Sequence, residues 1–112
     1  MPTISWTDFR RVDLRVGTVV EAEDFPEAHN PAYILTIDFG EEIGTLRSSA
    51  QITNLYALGD LPGMQVVAVV NLPPKQIGPV MSECLITGFH RSNRDVVLAT
   101  PDVEVPNGAR LA

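Results

Sequence analysis

Apolar residues recur at every second position in several short runs of this sequence, and this period constrains the fold more than any other feature. In the clearest run, Tyr33 to Phe39, the odd positions carry Tyr, Leu, Ile and Phe, whereas Thr and Asp occupy two of the three positions between them. Such alternation is typical of a β-strand that buries one face. Glycines and prolines separate the runs, which indicates short strands joined by turns.

Further strands are predicted at Leu14–Val20, Ile43–Ser49, Gln65–Leu72, Met81–Thr87 and Val96–Thr100. The run from Gln65 to Leu72 is apolar on both faces, so it needs cover on both sides. Gly44 is a candidate β-bulge. The segment Glu21–Pro31 is acidic and contains two prolines, and it is predicted to be a solvated loop.

Two short helices complete the prediction. Ser5 and Asp8 have the spacing of a capping box, which predicts a helix from Ser5 through Arg11. Ala50 to Leu58 is predicted to form about two turns of helix between strands, because turn residues follow it.

Many short strands with at most two short helices indicate an all-β fold, and a small closed barrel suits this length. We expect a five-stranded OB-fold barrel with short helices and extra terminal strands; a simple sandwich is the alternative. A chain of 112 residues can build one hydrophobic core, so residues 1–112 are expected to form a single domain.

Composition narrows the classes of function. The formal net charge of -6 opposes long-range attraction to nucleic acid and to anionic lipid. The longest apolar run, Val66–Val70, is too short to be inserted in a membrane, and the N-terminal segment has the reverse charge order of a secretory signal. The single Cys84 suits a reducing compartment and is expected to be a small buried hydrophobe. We therefore expect a cytoplasmic protein.

No pattern for catalysis or metal binding stands out. His29 and His90 have no ligand partner at helical spacing and are expected on surface loops. Cys84 has no base near it in sequence, and phosphate-binding or nucleophile-elbow motifs are absent. We expect no enzyme activity, no metal and no cofactor. Seven of the eight basic residues are arginines. These arginines either make the surface soluble and pair with acidic residues, or converge on one face of the barrel to bind carboxylate or phosphate groups.

An ordered set of motifs resembles the tRNA-binding OB domain that is appended to methionyl- and phenylalanyl-tRNA synthetases and also occurs free-standing. The motifs are Asp13–Gly17, Asn30–Ala32, Asn71–Lys75, Gly78 and Ser82–Glu83. A second set is similar, from end to end, to the stand-alone CsaA-type secretion chaperones within that family: Ile37–Gly40, Glu42–Gly44, Ser48–Thr53, Val67–Asn71, Asp95–Leu98 and Val105–Gly108. This resemblance implies homodimers of OB-fold subunits that bind unfolded or precursor proteins and assist export without ATP. It leaves an export ATPase as a further candidate partner.

Two surfaces follow from this resemblance and from apolar residues that the core does not need. The peptide-binding residues are expected to be Arg47, Gln51, Ile52, Leu55, Asn71, Lys75, Ile77 and Met81. The dimer interface is expected to contain Trp6, Phe9, Val12, Val97, Leu98, Val105 and Leu111. A scaffolding subunit without a ligand site is a further alternative, because the two-faced strand could serve subunit contact alone.

The alternative function is tRNA binding, recognised by shape. Its expected contacts are Arg15, Arg47, Asn71, Lys75 and Ser82. Two departures weaken this alternative: Leu85 stands where the relatives commonly have methionine, and Lys75 is the only lysine near the loop. Arg15 is also expected to form a structural ion pair with Glu83.

Overall fold

The computed structural model describes residues 1–112 and contains nine strands, one α-helix and one turn of 3₁₀ helix. The strands are β1 (Leu14–Asp24), β2 (Tyr33–Asp38), β3 (Thr45–Ala50), β4 (Gln65–Val69), β5 (Lys75–Ile77), β6 (Val80–Ser82), β7 (Leu85–Ile86), β8 (Gly88–His90) and β9 (Val96–Leu98). The helix α1 spans Trp6–Arg10, and the 3₁₀ turn spans Leu58–Asp60. Both helices are too short to cross a membrane.

Five strands form one antiparallel sheet in the order β3-β2-β1-β4-β7. The long strand β1 pairs with β4 through Leu14–Thr18 and with β2 through Thr18–Asp24. A register shift between Val19 and Glu21 marks a bulge, and bulges bend a strand locally. This bend lets one strand serve two neighbours and curl the sheet. Two hairpins, β5–β6 and β8–β9, lie outside the sheet.

The connection between β6 and β7 joins the two edges of the sheet, β3 and β7. The Arg47 N–H donates to Glu83 Oε1 at 2.9 Å, and the Glu83 N–H donates to the Arg47 carbonyl at 2.8 Å. The Ser49 N–H donates to Ser82 Oγ at 3.1 Å, and Ser48 Oγ donates to the Cys84 carbonyl at 3.0 Å. The sheet is thus a nearly closed five-stranded barrel, which confirms the predicted OB fold.

The core fills the barrel as the alternation predicts. Leu35, Ile37 and Phe39 are fully buried and pack with residues of β1 and β4. A second, smaller cluster contains Phe25, Ala32, Ile34 and Val80. Val80 belongs to β6, so this cluster attaches the β5–β6 hairpin to the outside of the barrel.

The capping box of α1 is confirmed. The Asp8 N–H donates to Ser5 Oγ at 3.0 Å, and the Ser5 N–H donates to the Asp8 carboxylate at 3.4 Å. No residue of the helix is buried, so the helix adds nothing to the core. Asn71 ties its end to β1, since Asn71 Nδ2 donates to the Arg11 carbonyl and the Asp13 N–H donates to Asn71 Oδ1.

The C-terminal tail pairs with the first part of β1 on the side that β2 leaves free. The Val16 N–H donates to the Ala109 carbonyl at 2.9 Å, and the Leu111 N–H donates to the Leu14 carbonyl at 2.9 Å. An isolated bridge joins Arg15 and Arg110 between them. The extended tail that the sequence predicts is therefore an addition to the barrel wall.

The helix predicted over Ala50–Leu58 is wrong. The segment is irregular, and only Leu58–Asp60 forms a 3₁₀ turn. Tertiary hydrogen bonds hold Tyr56: its carbonyl accepts from the Tyr33 hydroxyl at 2.8 Å, and its own hydroxyl accepts from the Leu98 N–H at 3.0 Å. Ile52 is drawn into the core instead of lying on a helix face.

Three smaller predictions are also corrected. Residues Glu21–Asp24, predicted as loop, extend β1. The strand predicted over Met81–Thr87 is divided into β6 and β7, because Glu83 and Cys84 turn toward β3 to close the barrel. Gly44 lies in the β2–β3 turn with a φ of 82°, a conformation that favours glycine, and it is not a bulge.

We predict that Gly17→Ala destabilises the fold by about 1–3 kcal/mol, the usual effect of overpacking a core. A Cβ at Gly17 would lie 2.6 Å from Ile37 Cγ2 and 2.8 Å from a ring carbon of Phe39. Urea denaturation gives the free energy of unfolding. Gly59→Ala is the matched control, because a Cβ there meets nothing within 4 Å; equal stability of the two variants would contradict the packing.

Candidate functional site

The β5–β6 hairpin carries part of the expected peptide-binding surface. Pro73 and Pro74 precede it and cannot donate to a ladder, so the chain leaves the β4 pairing there. Lys75 then pairs with Ser82, and the turn uses Gly78 at a φ of 53°. Lys75 and Met81 face solvent, whereas Ile77 is half-buried against the Phe25 cluster.

Arg47 reaches the same side of the barrel from β3. Its side chain is half exposed and lies 4.0 Å from the Glu23 carboxylate. Ser82 and Glu83 are committed to barrel closure through Ser49 and the Arg47 backbone. The Glu23 carboxylate is therefore a neighbour of the Arg47 guanidinium on this surface, and it reduces the attraction of Arg47 for a phosphate.

Arg15 is part of an internal network and does not face a ligand. Its Nε lies 2.7 Å from Asp13 Oδ1, and its Nη1 donates to the Gly108 carbonyl at 3.1 Å. Glu42 is a weaker, exposed partner at 3.7 Å. The expected ion pair of Arg15 with Glu83 is wrong: Asp13, two residues away, is the partner, while the Glu83 carboxylate is used at the barrel seam.

The structure divides the expected peptide-binding residues into exposed residues, the half-buried Ile77, and residues that the chain itself engages. Five are exposed to solvent: Arg47, Gln51, Leu55, Lys75 and Met81. Ile52 lies in the core, and both polar atoms of the Asn71 amide are engaged by the chain itself. Ile52 and Asn71 are therefore left out of the surface proposed below.

A groove opens where barrel closure stops, and we call it the seam groove. It has a volume of about 470 Å³ and lies between the end of β3, strand β7 and the β8–β9 hairpin. Its lining residues are Ser49, Ala50, Gln51, Ile52, Leu85, Ile86, His90, Arg94, Val96 and Leu98. Sequence reasoning missed Leu85 and Arg94 and placed His90 on a polar loop. No local signal identifies these residues, because the groove is assembled from β3, β7 and the β8–β9 hairpin.

A second groove, the terminal groove, lies between α1 and the C-terminal tail. It has a volume of about 580 Å³ and contains four of the expected dimer residues. Its lining residues are Trp6, Phe9, Arg10, Val12, Leu14, Arg110, Leu111 and Ala112. Trp6 is 78% exposed, an unusual state for a side chain of this size.

The other expected dimer residues lie elsewhere. Val97 is exposed on β9. Leu98 belongs to the core, which corrects its expected place in an interface. Val105 is half-buried and held by Gln65, whose Nε2 donates to the Val105 carbonyl at 2.7 Å and whose Oε1 accepts from the Val105 N–H at 3.1 Å.

Cys84 is buried at the seam, as expected of a small hydrophobe. Burial raises the pKa of its thiol to about 12, against an opposing hydrogen bond with Ser48, and the Glu83 charge adds to the increase. The thiolate is therefore negligible at neutral pH, and the thiol is a poor nucleophile. No group of three His, Cys, Asp or Glu side chains could hold a metal ion.

Comparison with known proteins gives a consistent result. Residues 14–110 match the family model described as "Putative tRNA binding domain". The crystal structure of chaperone CsaA from Bacillus anthracis has a TM-score of 0.93 and 49% identity, and covers 99% of this chain and 100% of that one. The CsaA chaperone protein from Picrophilus torridus has a TM-score of 0.91 and 46% identity, and covers 98% of this chain and 100% of that one.

A larger enzyme contains a similar segment. The methionine–tRNA ligase of Thermococcus kodakarensis is 35% identical over 111 residues, which are 99% of this chain and 14% of the ligase. The chain thus spans about a seventh of the length of that relative, and the likeness concerns one part of the enzyme.

We predict that Asp13→Asn reduces the loss of stability in acid. The hydrogen bond from Arg15 holds the pKa of Asp13 below its usual value of 3.8, with a further contribution from Arg110, against desolvation. A carboxyl whose pKa is lowered by folding stabilises the protein above its unfolded pKa, and this stabilisation is lost as pH falls through the folded pKa. Thermal denaturation between neutral pH and about pH 3 measures the slope of stability against pH. A slope unchanged from wild type would contradict this role, and Asp102→Asn is the control, since Asp102 forms no ion pair.

Proposed function

Because the chain belongs to the tRNA-binding domain family and, within it, to the CsaA-type proteins, we propose that it is a chaperone. It binds unfolded or precursor polypeptides in the cytoplasm without ATP and serves protein export. The support is a likeness that covers the whole of two chaperones, at 49% and 46% identity.

The observation that carries the proposal is the apolar surface on the segment from the end of β4 to β7. Leu72, Met81 and Leu85 are 47%, 43% and 52% exposed, and all three lie on the part of the chain that leaves the barrel after β4 and rejoins it at β7. Single exposed apolar residues are ordinary, whereas contiguous apolar surface marks an interaction site, and we propose that these three side chains contribute to one such surface. Arg47 and Lys75 on the same side of the barrel offer charge to the carbonyl and carboxyl groups of an extended client.

Binding of tRNA is the second candidate. The family model supports it, as do five cationic side chains that form no ion pair: Arg10, Arg11, Lys75, Arg91 and Arg94. Against it, Arg15 is paired with Asp13, and the Glu23 carboxylate lies 4.0 Å from the Arg47 guanidinium. Each phosphate contact contributes about 0.7 to 0.9 to the salt dependence of binding, so few free cations give weak affinity at physiological salt.

A homodimer is the proposed assembly, with the terminal groove as its interface. The groove gathers Trp6, Phe9, Val12 and Leu111 from the two ends of the chain, and no residue of α1 is buried within the subunit. A two-fold dimer would bury the same patch on both subunits and give Trp6 the cover that it lacks. Val97 adds a smaller apolar surface on β9.

We predict that the purified protein suppresses aggregation of a thermally denatured reporter enzyme to the same extent with and without ATP. Light scattering measures aggregation, and filter binding with tRNA at low and moderate salt is run in parallel. If the protein binds tRNA as tightly at moderate salt as at low salt and does not suppress aggregation, tRNA binding replaces the chaperone proposal. An inert protein in both assays would reject both functions.

Trp6→Ser is predicted to raise the dissociation constant of the dimer at least about tenfold, as truncation of a central aromatic anchor does. The subunit should keep its stability, because Trp6 is 78% exposed within it. Analytical ultracentrifugation gives the dimer population. Val103→Ser is the matched control, since Val103 is 69% exposed and lies outside the terminal groove; equal dissociation of both variants would refute this interface.

A further inference from the structure

The seam groove exists because barrel closure covers only part of the gap between β3 and β7. The bonds of Arg47, Ser48 and Ser49 to residues 82–84 close one part of the gap. No hydrogen bond joins Ala50–Ile52 to Leu85–Ile86. Two edges of one sheet therefore stand apart, and an extended chain is the shape that fits between strand edges.

The floor of the groove is aliphatic. Leu85 is 52% exposed, and Ile86 and Val96 are half-buried beside it. Ile52 and Leu98 lie below, in the core. The lining contains no Phe, Tyr or Trp, and only His90 and Arg94, at its rim, could stack on a nucleic-acid base. This floor suits an aliphatic side chain of a polypeptide.

Arg94 brings a free positive charge to the groove. It forms no ion pair, and the nearby Asp95 carboxylate is occupied: Asn54 Nδ2 donates to its Oδ1 at 2.9 Å and Asn93 Nδ2 donates to its Oδ2 at 2.8 Å. The Asp95 charge is thus engaged by neutral amides, and the guanidinium remains open to an outside carboxylate. His90 lines the groove as well.

The backbone conformation of Arg94 is unusual for an arginine. Its φ of 70° is the only positive value at a residue other than glycine. Hydrogen bonds from the Arg94 N–H to the Arg91 carbonyl and from the Arg91 N–H to the Asp95 carbonyl hold the turn. Glycine or asparagine would adopt this conformation at lower cost, so the turn alone does not require an arginine at this position.

We propose that the seam groove binds an extended polypeptide segment with an aliphatic residue and an acidic residue two positions apart. The aliphatic side chain lies on Leu85, and the carboxylate pairs with Arg94. Residues i and i+2 of an extended chain point to the same side, so both can enter one groove. Gln51 and Ser49 border the groove and provide polar groups for the client backbone. This assignment rests on the proposed chaperone function and names the segment that the protein selects.

The test uses short fluorescein-labelled peptides that carry Leu-x-Glu in a glycine-serine background. Matched peptides carry Leu-x-Gln or Ser-x-Glu. Fluorescence anisotropy should show that wild-type protein binds Leu-x-Glu about tenfold more tightly than either, the usual effect of one partly desolvated charged or apolar contact.

Paired substitutions locate the site. Arg94→Asn should lower affinity for Leu-x-Glu about tenfold while it preserves the turn, since asparagine tolerates a positive φ. Arg91→Asn is its control, because Arg91 belongs to the same turn but does not line the groove. Leu85→Ser should weaken binding, whereas Phe89→Ser, which removes a more exposed residue outside the groove, should not. Thermal denaturation verifies that each variant folds.

A charge exchange makes the assignment specific. Arg94→Glu should reject Leu-x-Glu and bind Leu-x-Lys in its place. If Arg94→Asn, Leu85→Ser and Arg94→Glu all keep wild-type affinity while aggregation is still suppressed, the groove assignment is overturned and the chaperone function stands.

If wild-type protein binds no peptide and does not suppress aggregation, the proposed chaperone function itself fails. If Arg94→Asn and Arg91→Asn both lose tRNA affinity and neither loses peptide, the turn serves RNA and the groove assignment is overturned.

Discussion

The joining of β3 to the segment Ser82–Cys84 is the interaction on which the rest of the structure depends. A curled five-stranded sheet has two unpaired edges, and unpaired edges are a liability in water. Here four hydrogen bonds, which use the Glu83 carboxylate, the hydroxyls of Ser48 and Ser82 and backbone groups of both segments, replace a full ladder. These bonds hold the barrel closed, fix the end of the β5–β6 hairpin at Ser82, and do not extend far enough along β3 to close the seam groove.

Ion pairs within the chain leave few free positive charges on the surface, and this determines which ligands the surface can bind. The fourteen acidic residues outnumber the eight basic ones, and the best-placed arginines are occupied internally. Arg15 pairs with Asp13 at the start of β1, and Arg47 lies beside the Glu23 carboxylate. What remains is a surface of scattered cations beside aliphatic side chains. That combination suits polypeptides better than a polyanion.

The sequence predicts features that depend on neighbours along the chain. Alternation identifies the buried face of β2, with Leu35 and Ile37, and spacing identifies the cap of α1. It cannot identify features set by distant partners. Ile52 and Tyr56 fit a helix pattern equally well, but the hydroxyl of Tyr33 and the N–H of Leu98 decide otherwise.

The candidate site shows the same division. Lys75 and Met81 are exposed on a hairpin, as the Pro-Pro and Gly signals around them imply. The seam groove gathers residues from β3, β7 and the β8–β9 hairpin, which no local pattern connects. The sequence also could not identify the partner of Arg15. The chain has many acidic residues, and only the distances in the folded structure show which of them pairs with this guanidinium.

Pairing of the tail with β1 also affects how the chain folds. The Leu111 N–H donates to the Leu14 carbonyl, although almost the whole barrel lies between these two residues in sequence. Contacts between such distant residues form slowly. Until this contact forms, backbone groups on one side of the first part of β1 are unpaired, and an unpaired strand edge promotes aggregation. A folding molecule therefore faces the same hazard that the finished molecule is proposed to relieve in others.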